Sequence, residues 1–563
     1  MSPAPTTPTR IVVVGGVAGG MSFAARARRL DETAAIVVLD RGQHVSFANC
    51  GLPYYVGGEI TDPRALLLQT PASLKASLNL DVRTGHDVIG LDPAAKTVTV
   101  RTEQGEEVID YDQLVLSPGA AAVRPGIPGL DSSRVRTLRT VDDALSLRGE
   151  VIAGATSAVV LGAGFIGLEA AEALAQAGLD TQLVELAPHV LPPLESELAA
   201  LVTAELDALG ITTHTGVAAT AIEPGPDHDV VVLADGTRLP ADLVVLSVGV
   251  RPDTAVFERA GVACERGAIV TDEHGRTNLE GVWAVGDATA STNPVTGARR
   301  TVALAGPANR AGRLVADAML RPDRARPLPA PLGTAIVRVG SLTAALTGAN
   351  RESLQAAGVE FRTLHLHPNQ HAGYFPGAAQ VHLVVHVSPE GRLLGAQAVG
   401  TEGVDKRIDV LATAMRAGMD VRDLIDLDLS YAPPYGSAKD PVNFIGMVAE
   451  NVLNDTLTLW YADDLEQVRQ DALVLDARSR AEFATGHLPG SVNIPHTELR
   501  GRLDEVHAAA AGRAVRVLCV SGVRSAIAHR VLAQAGFDSA SLSGGMLTLR
   551  ASLGSKADDM LIH

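Results

Sequence analysis

Twice along this chain an apolar strand runs into a glycine turn, leaves it as an alanine-rich helix, and is followed by a second strand that ends in an acid. The first copy is "RIVVVGGVAGGMSFAARARRL", carrying Gly15, Gly16, Ala18, Gly19 and Gly20; the strand "AIVVLD" then ends at Asp40, with Arg41 beside it. The second is "SAVVLGAGFIGLEAAEALAQAGLDTQLVEL", with Gly162, Gly164, Phe165, Ile166 and Gly167 in the turn and Glu185 at the end of the next strand. Glycines permit the tight turn and a close backbone approach, the helix start holds a pyrophosphate, and the acid holds a ribose hydroxyl. The chain is therefore expected to be α/β, with two Rossmann-like dinucleotide-binding domains. In the first copy Val17 replaces the middle glycine, and the surrounding strand–turn–helix–strand–acid order compensates. Glu185 would accept from a 2′-hydroxyl and repel a 2′-phosphate, which favours NADH and leaves NADPH possible.

Composition narrows the function classes. A formal net charge of −17 argues against nucleic acid, which needs clustered Lys and Arg. No apolar run is long enough to span a bilayer, and the polar N-terminus lacks the apolar core of a signal peptide. The expectation is a cytoplasmic multi-domain enzyme without membrane contact. The three cysteines, Cys50, Cys264 and Cys519, each lie more than two hundred residues from the next, so neither a local disulfide framework nor a CxxC metal site is available.

Further segments explain how two nucleotide units share one chain. "YDQLVLSPGA", with Ser117 and Gly119, and "ADLVVLSVGVRPD", with Gly249, are buried strands ending at glycine and read as crossings into and out of an inserted domain. "TNLEGVWAVGDA" ends at Gly286 and Asp287, where an aspartate can bond the ribitol or phosphate side of a flavin. This arrangement resembles the two-dinucleotide flavoprotein disulfide reductase family. The resemblance implies FAD in the first unit, NADH in the second, and a C-terminal dimerisation domain. The expected boundaries are 10–118 with 250–325 for the FAD domain, 119–249 for the NAD(P)H domain, and 330–450 for an α+β dimerisation domain.

Cys50 sits in "SFANCGLPYY" with no partner cysteine nearby, so its redox partner must be its own sulfenic acid or a small thiol in a mixed disulfide. The segment is similar to the single-cysteine branch of the family, and within it to the coenzyme A disulfide reductases. The segments "HAGYFPGAAQVHL" and "SYAPPYGSAKDP" resemble those that bring two tyrosines to the partner subunit's active site. This implies a homodimer with a shared site in which Tyr374 and Tyr431 assist a leaving thiolate; Phe375 stands where some members have a second tyrosine. Arg26 and Arg29, three apart on one helix face, and Lys439 suit the anionic end of coenzyme A. By resemblance Ser22, Ser46, Asn49 and Asn309 join them as substrate contacts, and Glu169 tunes the flavin–nicotinamide pocket. No metal is expected at His365, His367 and His371, which have no carboxylate or thiol companion in sequence, and Cys264 is expected to be structural.

The last hundred residues restart with "DALVLDARSRAEFATGHLPGSVNIP", followed by "VRVLCVSGVRSA". The two stretches look like a rhodanese domain, over 462–560. A strand delivers Cys519 to a Cys-x-x-Gly-x-Arg loop whose backbone N–H groups, with Arg524, form a positive cup that favours a thiolate and holds a persulfide. The whole chain is similar to the coenzyme A disulfide reductase–rhodanese fusions, also described as NADH-dependent persulfide reductases. That implies coenzyme A disulfide, coenzyme A persulfide or polysulfide as small-molecule substrate. Two alternatives stay open at this point: an NADH peroxidase or oxidase cycling Cys50 through sulfenic acid, and a non-enzymatic sulfur carrier or redox sensor.

Overall fold

The computed structural model describes residues 8–554 and 556–562. The chain forms two compact units, one of residues up to Pro188 with Leu209–Gly333, the other of His189–Ala208 with the chain from Thr334 onward.

The first unit holds two five-stranded parallel sheets built to one plan. In the first, Val282–Ala284, Gln113–Leu116, Arg10–Val14, Ala35–Leu39 and Asp81–Arg83 lie side by side in that order. In the second the order is Thr212–Thr215, Asp180–Glu185, Ser157–Leu161, Leu243–Leu246 and Val135–Arg136. The central strands read as unbroken apolar runs because helices and loops cover both faces. Ile11 and Val13 enter one core and Val12 and Val14 the core on the opposite face. The two crossing segments run antiparallel, Ala120–Ala122 against Val250–Pro252.

In each sheet the first strand of the motif pairs with a crossing strand, Gln113–Leu116 in the first sheet and Leu243–Leu246 in the second, and chain order reverses between them. In open parallel sheets ligands bind at such a point, beyond the strands' carboxyl ends. Helix Ala305–Leu320 closes onto helix Ala18–Leu30 across Gly312, where a Cβ would come 2.3 Å from the Gly19 carbonyl oxygen. The glycine is what lets the two helices approach so closely.

The second unit contains a five-stranded antiparallel sheet, ordered Ala335–Val339, Leu342–Gly348, Leu393–Gly400, Val381–Val387 and Arg362–Leu366. Helices Val404–Ala417 and Pro441–Leu453 bury one face of it, through Ile408, Leu411, Val442 and Ile445. A parallel sheet follows, ordered Leu459–Trp460, Ser539–Leu542, Ala514–Leu518, Ala472–Asp476 and Val492–Asn493, with a separate core on each face. Helix Ser196–Ala208 lies in sequence inside the span expected for the NAD(P)H domain, yet it groups with this second unit. Glu195 and Glu197 at its start explain why. Glu197 meets the imidazole of His365 at 2.8 Å and Glu195 that of His386 at 2.9 Å, while Arg351 donates to Glu197 at 2.6 Å. Burial alone would raise these carboxyls, but the histidines and Arg351 hold both below the usual carboxylate range.

One buried ion pair organises the segments carrying the two expected tyrosines. Arg407, 1% exposed, donates to Asp440 at 2.8 Å and to the Gln370 carbonyl at 2.6 Å; Asp440 also accepts from the Val442 amide and so caps helix Pro441–Leu453. The Ala372 amide bonds the Gly436 carbonyl at 2.8 Å, tying the segment around Tyr374 to the one around Tyr431. Removing one member of a buried pair strands the other charge, so Asp440→Asn should lower the stability of this unit by about 3 kcal/mol. Calorimetry is expected to show the unfolding transition shifted down in temperature.

Candidate active site

The first glycine turn is set by what will not fit there. A Cβ on Gly15 would lie 2.0 Å from the Ser117 carbonyl oxygen, and one on Gly20 2.0 Å from the Gly15 oxygen. The second turn repeats this, with 2.5 Å from Gly162 to the Ser247 oxygen and 1.8 Å from Gly167 to the Gly162 oxygen. A Cβ on Gly164, by contrast, would meet nothing within 4 Å among the described residues beyond its own chain neighbours, which leaves that side of the turn open to a ligand. The helices that follow, Ala18–Leu30 and Phe165–Gln176, start at Val17 and Gly164 without a side-chain cap, so their first amides are presented to an anion.

The acids are held alike. Asp40 accepts from the Gly16 amide at 2.7 Å and the Gly42 amide at 2.8 Å; Glu185 accepts from the Ala163 amide at 2.7 Å and the Ala187 amide at 2.8 Å. Each carboxylate is thereby pinned at its turn, where a ribose would lie. Burial pushes Asp40 upward against these bonds. Arg41 pairs with Asp253. Gly119, Gly249 and Gly286 all adopt positive φ beside the turns, and Ser117 Oγ lies 3.4 Å from the Cβ position of Gly286. Asp287 is raised by burial and opposed by Arg139, a half-buried guanidinium whose own affinity for its proton is lowered by burial. Arg139 was not singled out from sequence; it lies in an irregular stretch before a helix, and only the fold brings it to Asp287. Two uncapped helix starts, two pinned acids and crevices shaped by glycine fit two dinucleotides.

Cys50 stands between these turns. The Ser46 amide donates to the Gly16 carbonyl at 2.9 Å, with Ser46 itself in the left-handed region at φ 46°, which ties the cysteine segment to the first turn. A 3-10 turn, Asn49–Gly51, leads into helix Leu52–Gly57. That helix packs on helix Phe165–Gln176, where a Cβ on Gly57 would be 3.1 Å from Ala173 Cα, and Arg148 donates to the Val56 carbonyl at 3.1 Å. The packing brings Glu169 to the cysteine: Tyr54 donates to its carboxylate at 3.3 Å, and Cys50 is raised first by burial and then by the Glu169 charge. Cys50 and Asn49 are exposed.

The expected substrate contacts separate into pairs and singles. Ser22 bonds Asn309 across the close helix contact, and one turn on Arg26 is held by Asp317 at 2.6 Å. Arg29 is exposed and donates to the Ala25 carbonyl of its own helix. Lys439 is exposed beside the tyrosine segment. In the second unit the Tyr374 and Tyr431 hydroxyls lie 3.2 Å apart, both exposed, whereas Phe375 packs edge-on against His371. His365 and His367 are occupied elsewhere, His365 by Ser543 and Glu197 and His367 by His382 and Thr548. Among the described residues no group of three or more His, Cys, Asp or Glu is arranged to hold a metal. Cys264 is half-buried against the core below the first sheet.

At the other cysteine, strand Ala514–Leu518 delivers Cys519 into a loop that ends at helix Val523–Gln534. The thiol is 1% exposed; the Gly522 amide donates to its sulfur at 3.2 Å and the Ser525 hydroxyl at 3.4 Å. Gly522 is left-handed, at φ 94°, which turns its amide inward. Arg524 faces both the sulfur and the carboxylate of Glu482. The Asp-x-Arg of the preceding strand is a buried clamp, Arg478 forking onto Asp476 at 2.7 Å and reaching the Gly486 carbonyl at 2.8 Å.

Residues 9–312 match the family described as pyridine nucleotide-disulphide oxidoreductase, and 334–441 match its dimerisation domain. The chain belongs to this family. FAD and NADH are the cofactors that go with it. Residues 459–551 match the rhodanese-like domain. A coenzyme A disulfide reductase of Staphylococcus haemolyticus is 34% identical over 448 residues, covering 79% of this chain and all of the relative. The structure of reduced Bacillus anthracis CoADR-RHD superposes with a TM-score of 0.95 at 36% identity, covering the whole of both chains. The NAD-dependent persulfide reductase from A. fulgidus gives 0.90 at 36% identity, covering 96% of this chain and 100% of that one. Among the described residues no helix is long and apolar enough to cross a membrane.

A carboxylate next to a thiol disfavours the thiolate, so Glu169→Gln should lower the Cys50 pKa. The alkylation rate of Cys50 by iodoacetamide at neutral pH is expected to rise about two- to five-fold, with its titration midpoint moved to lower pH.

Proposed function

We propose that this enzyme passes electrons from NADH, by way of FAD, into a sulfur–sulfur bond at Cys50, reducing coenzyme A disulfide, coenzyme A persulfide or polysulfide, and that its rhodanese domain carries sulfane sulfur on Cys519. The observation that carries the reading is the placement of one exposed thiol, without a cysteine partner, between two nucleotide turns: tied to the first through Ser46 and Gly16, and facing Glu169 on the helix that leaves the second. The proposed domain spans are 10–118 and 250–325 for FAD, 119–249 for NAD(P)H, apart from His189–Ala208, which groups with the second unit, 330–450 for dimerisation and 462–560 for rhodanese.

The two cofactors have separate sets of residues. Gly15, Gly16, Ala18, Gly19, Gly20, Asp40, Arg41, Ser117, Gly119, Gly286 and Asp287 would hold FAD, with Arg139 beside Asp287 as a further cation for its phosphates. Gly162, Gly164, Phe165, Ile166, Gly167, Glu185 and Gly249 would hold NADH. When bound, FAD supplies the two-electron relay between nicotinamide and sulfur.

The chain's own residues handle the thiol chemistry. The Cys50 thiolate attacks one sulfur of the substrate, its S–S bond breaks, a Cys50–S–S–CoA bond forms, and the other sulfur leaves as a thiolate. Burial and Glu169 both disfavour a bare Cys50 thiolate, so a mixed disulfide is the comfortable resting form, since it carries no charge there. Ser22, Ser46, Asn49 and Asn309, with Arg26, Arg29 and Lys439, would bind coenzyme A, the cationic ones at its phosphates. Arg26 would do so while sharing its charge with Asp317. In a homodimer Tyr374 and Tyr431 would serve the partner subunit's Cys50, their adjoining hydroxyls passing a proton to the departing thiolate. The matched relatives do not favour the peroxidase or the non-enzymatic carrier.

The test is a pair of cysteine variants. Cys50→Ser should lose NADH-dependent turnover of coenzyme A disulfide by about 10³-fold or more and should lack the coenzyme A adduct that mass spectrometry is expected to detect on the wild-type protein. Cys519→Ser should keep disulfide reduction and lose only sulfur transfer. Full reductase activity in Cys50→Ser would overturn the proposal.

A further inference from the structure

A cup that holds a sulfur anion is expected to be positive, yet the loop at Cys519 is electrically balanced. Between Cys519 and Arg524 the chain reads Val520, Ser521, Gly522, Val523, so Arg524 is the only charged residue in the loop. Its two terminal nitrogens fork onto the two oxygens of Glu482, both at 2.8 Å. Glu482 is not a chance surface contact. It is held by the Ser479 amide at 2.9 Å and the Ser479 hydroxyl at 2.7 Å, inside the capping box that starts helix Arg480–Ala484. The bond from Arg524, with those from Ser479, brings its pKa to about 2, so it stays ionised throughout the working range. On the helix that follows the loop, Val523 is 51% and Ile527 42% exposed, one turn apart on the same face.

We propose that Glu482 is a positioning residue that sets the donor preference of the Cys519 site, making it selective for the persulfide of an organic thiol over dianionic thiosulfate. It acts through Arg524, by cancelling the charge that would attract a dianion and by fixing the guanidinium beside the sulfur. The inference rests on the reading of Cys519 as a sulfur carrier. The step itself balances: the Cys519 thiolate attacks the outer sulfur of R–S–SH, the donor S–S bond breaks, Cys519–S–SH forms, and RS⁻ leaves with the electron pair and takes a proton from water. No external oxidant or reductant is needed. With thiosulfate the leaving group is sulfite, and a dianion must first enter beside a fixed carboxylate.

The experiment uses the full-length holoenzyme without NADH, with coenzyme A persulfide or thiosulfate as donor, and follows the sulfur adduct on the Cys519 peptide by mass spectrometry. The wild type should load from the persulfide more efficiently. Glu482→Gln should raise the kcat/KM for thiosulfate by about ten-fold relative to that for the persulfide, chiefly through KM. Glu482→Asp, which keeps the charge, should retain the wild-type preference. A wild type that prefers thiosulfate, equal effects of Glu482→Gln on both donors, or Glu482→Asp behaving like Glu482→Gln would overturn the inference. Absence of any adduct from either donor would remove the sulfur-carrier reading and this inference with it.

Discussion

Everything in the first unit depends on a contact that admits no side chain. Where each central strand ends, a glycine backbone lies against the carbonyl of a serine on the neighbouring strand, Gly15 against Ser117 and Gly162 against Ser247. A single methyl group at either glycine would overlap that oxygen. Because the contact closes the turn, the following helix starts where it does, its amides stay available, and the acid of the next strand can reach back to the turn. The same steric rule written twice produces two nucleotide crevices in one chain, and the short cysteine helix is packed where it can face both.

The two cysteine sites use burial and charge in opposite ways. Cys50 keeps an exposed surface, receives no side-chain donor among the described residues, and has its anion disfavoured first by desolvation and then by the Glu169 carboxylate, which on the proposed reading would suit a sulfur that spends its time bonded to another sulfur. Cys519 is enclosed and receives an amide and a hydroxyl at its sulfur, which on the proposed reading would suit an atom that carries an anionic passenger without losing it to solvent. On that reading one thiol is arranged for exchange and the other for storage.

The sequence made the nucleotide turns legible because glycine spacing and strand-end acids are local signals, set by backbone geometry within about thirty residues. The rhodanese loop was readable for the same reason. The tyrosines were found only through resemblance, since nothing in local spacing says that the hydroxyls of Tyr374 and Tyr431 meet. Arg139, Asp317 and the role of Glu482 as a countercharge were not found, because each is defined by a partner far away in sequence. Helix Ser196–Ala208 is the plainest case. No local signal in its sequence announces the placement, and its position beside His365, His386 and Arg351 is fixed by charges that only folding assembles.

Glu482 is fastened from its own helix start by Ser479, not from the loop it serves. The anchor of Glu482 is therefore independent of the side chains at Val520, Ser521 and Val523, though not of the left-handed Gly522 that starts the helix carrying Arg524. On the proposed reading, drift at Ser479, on a stretch of chain separate from Cys519, would loosen the start of helix Arg480–Ala484 and retune the pocket in one stroke.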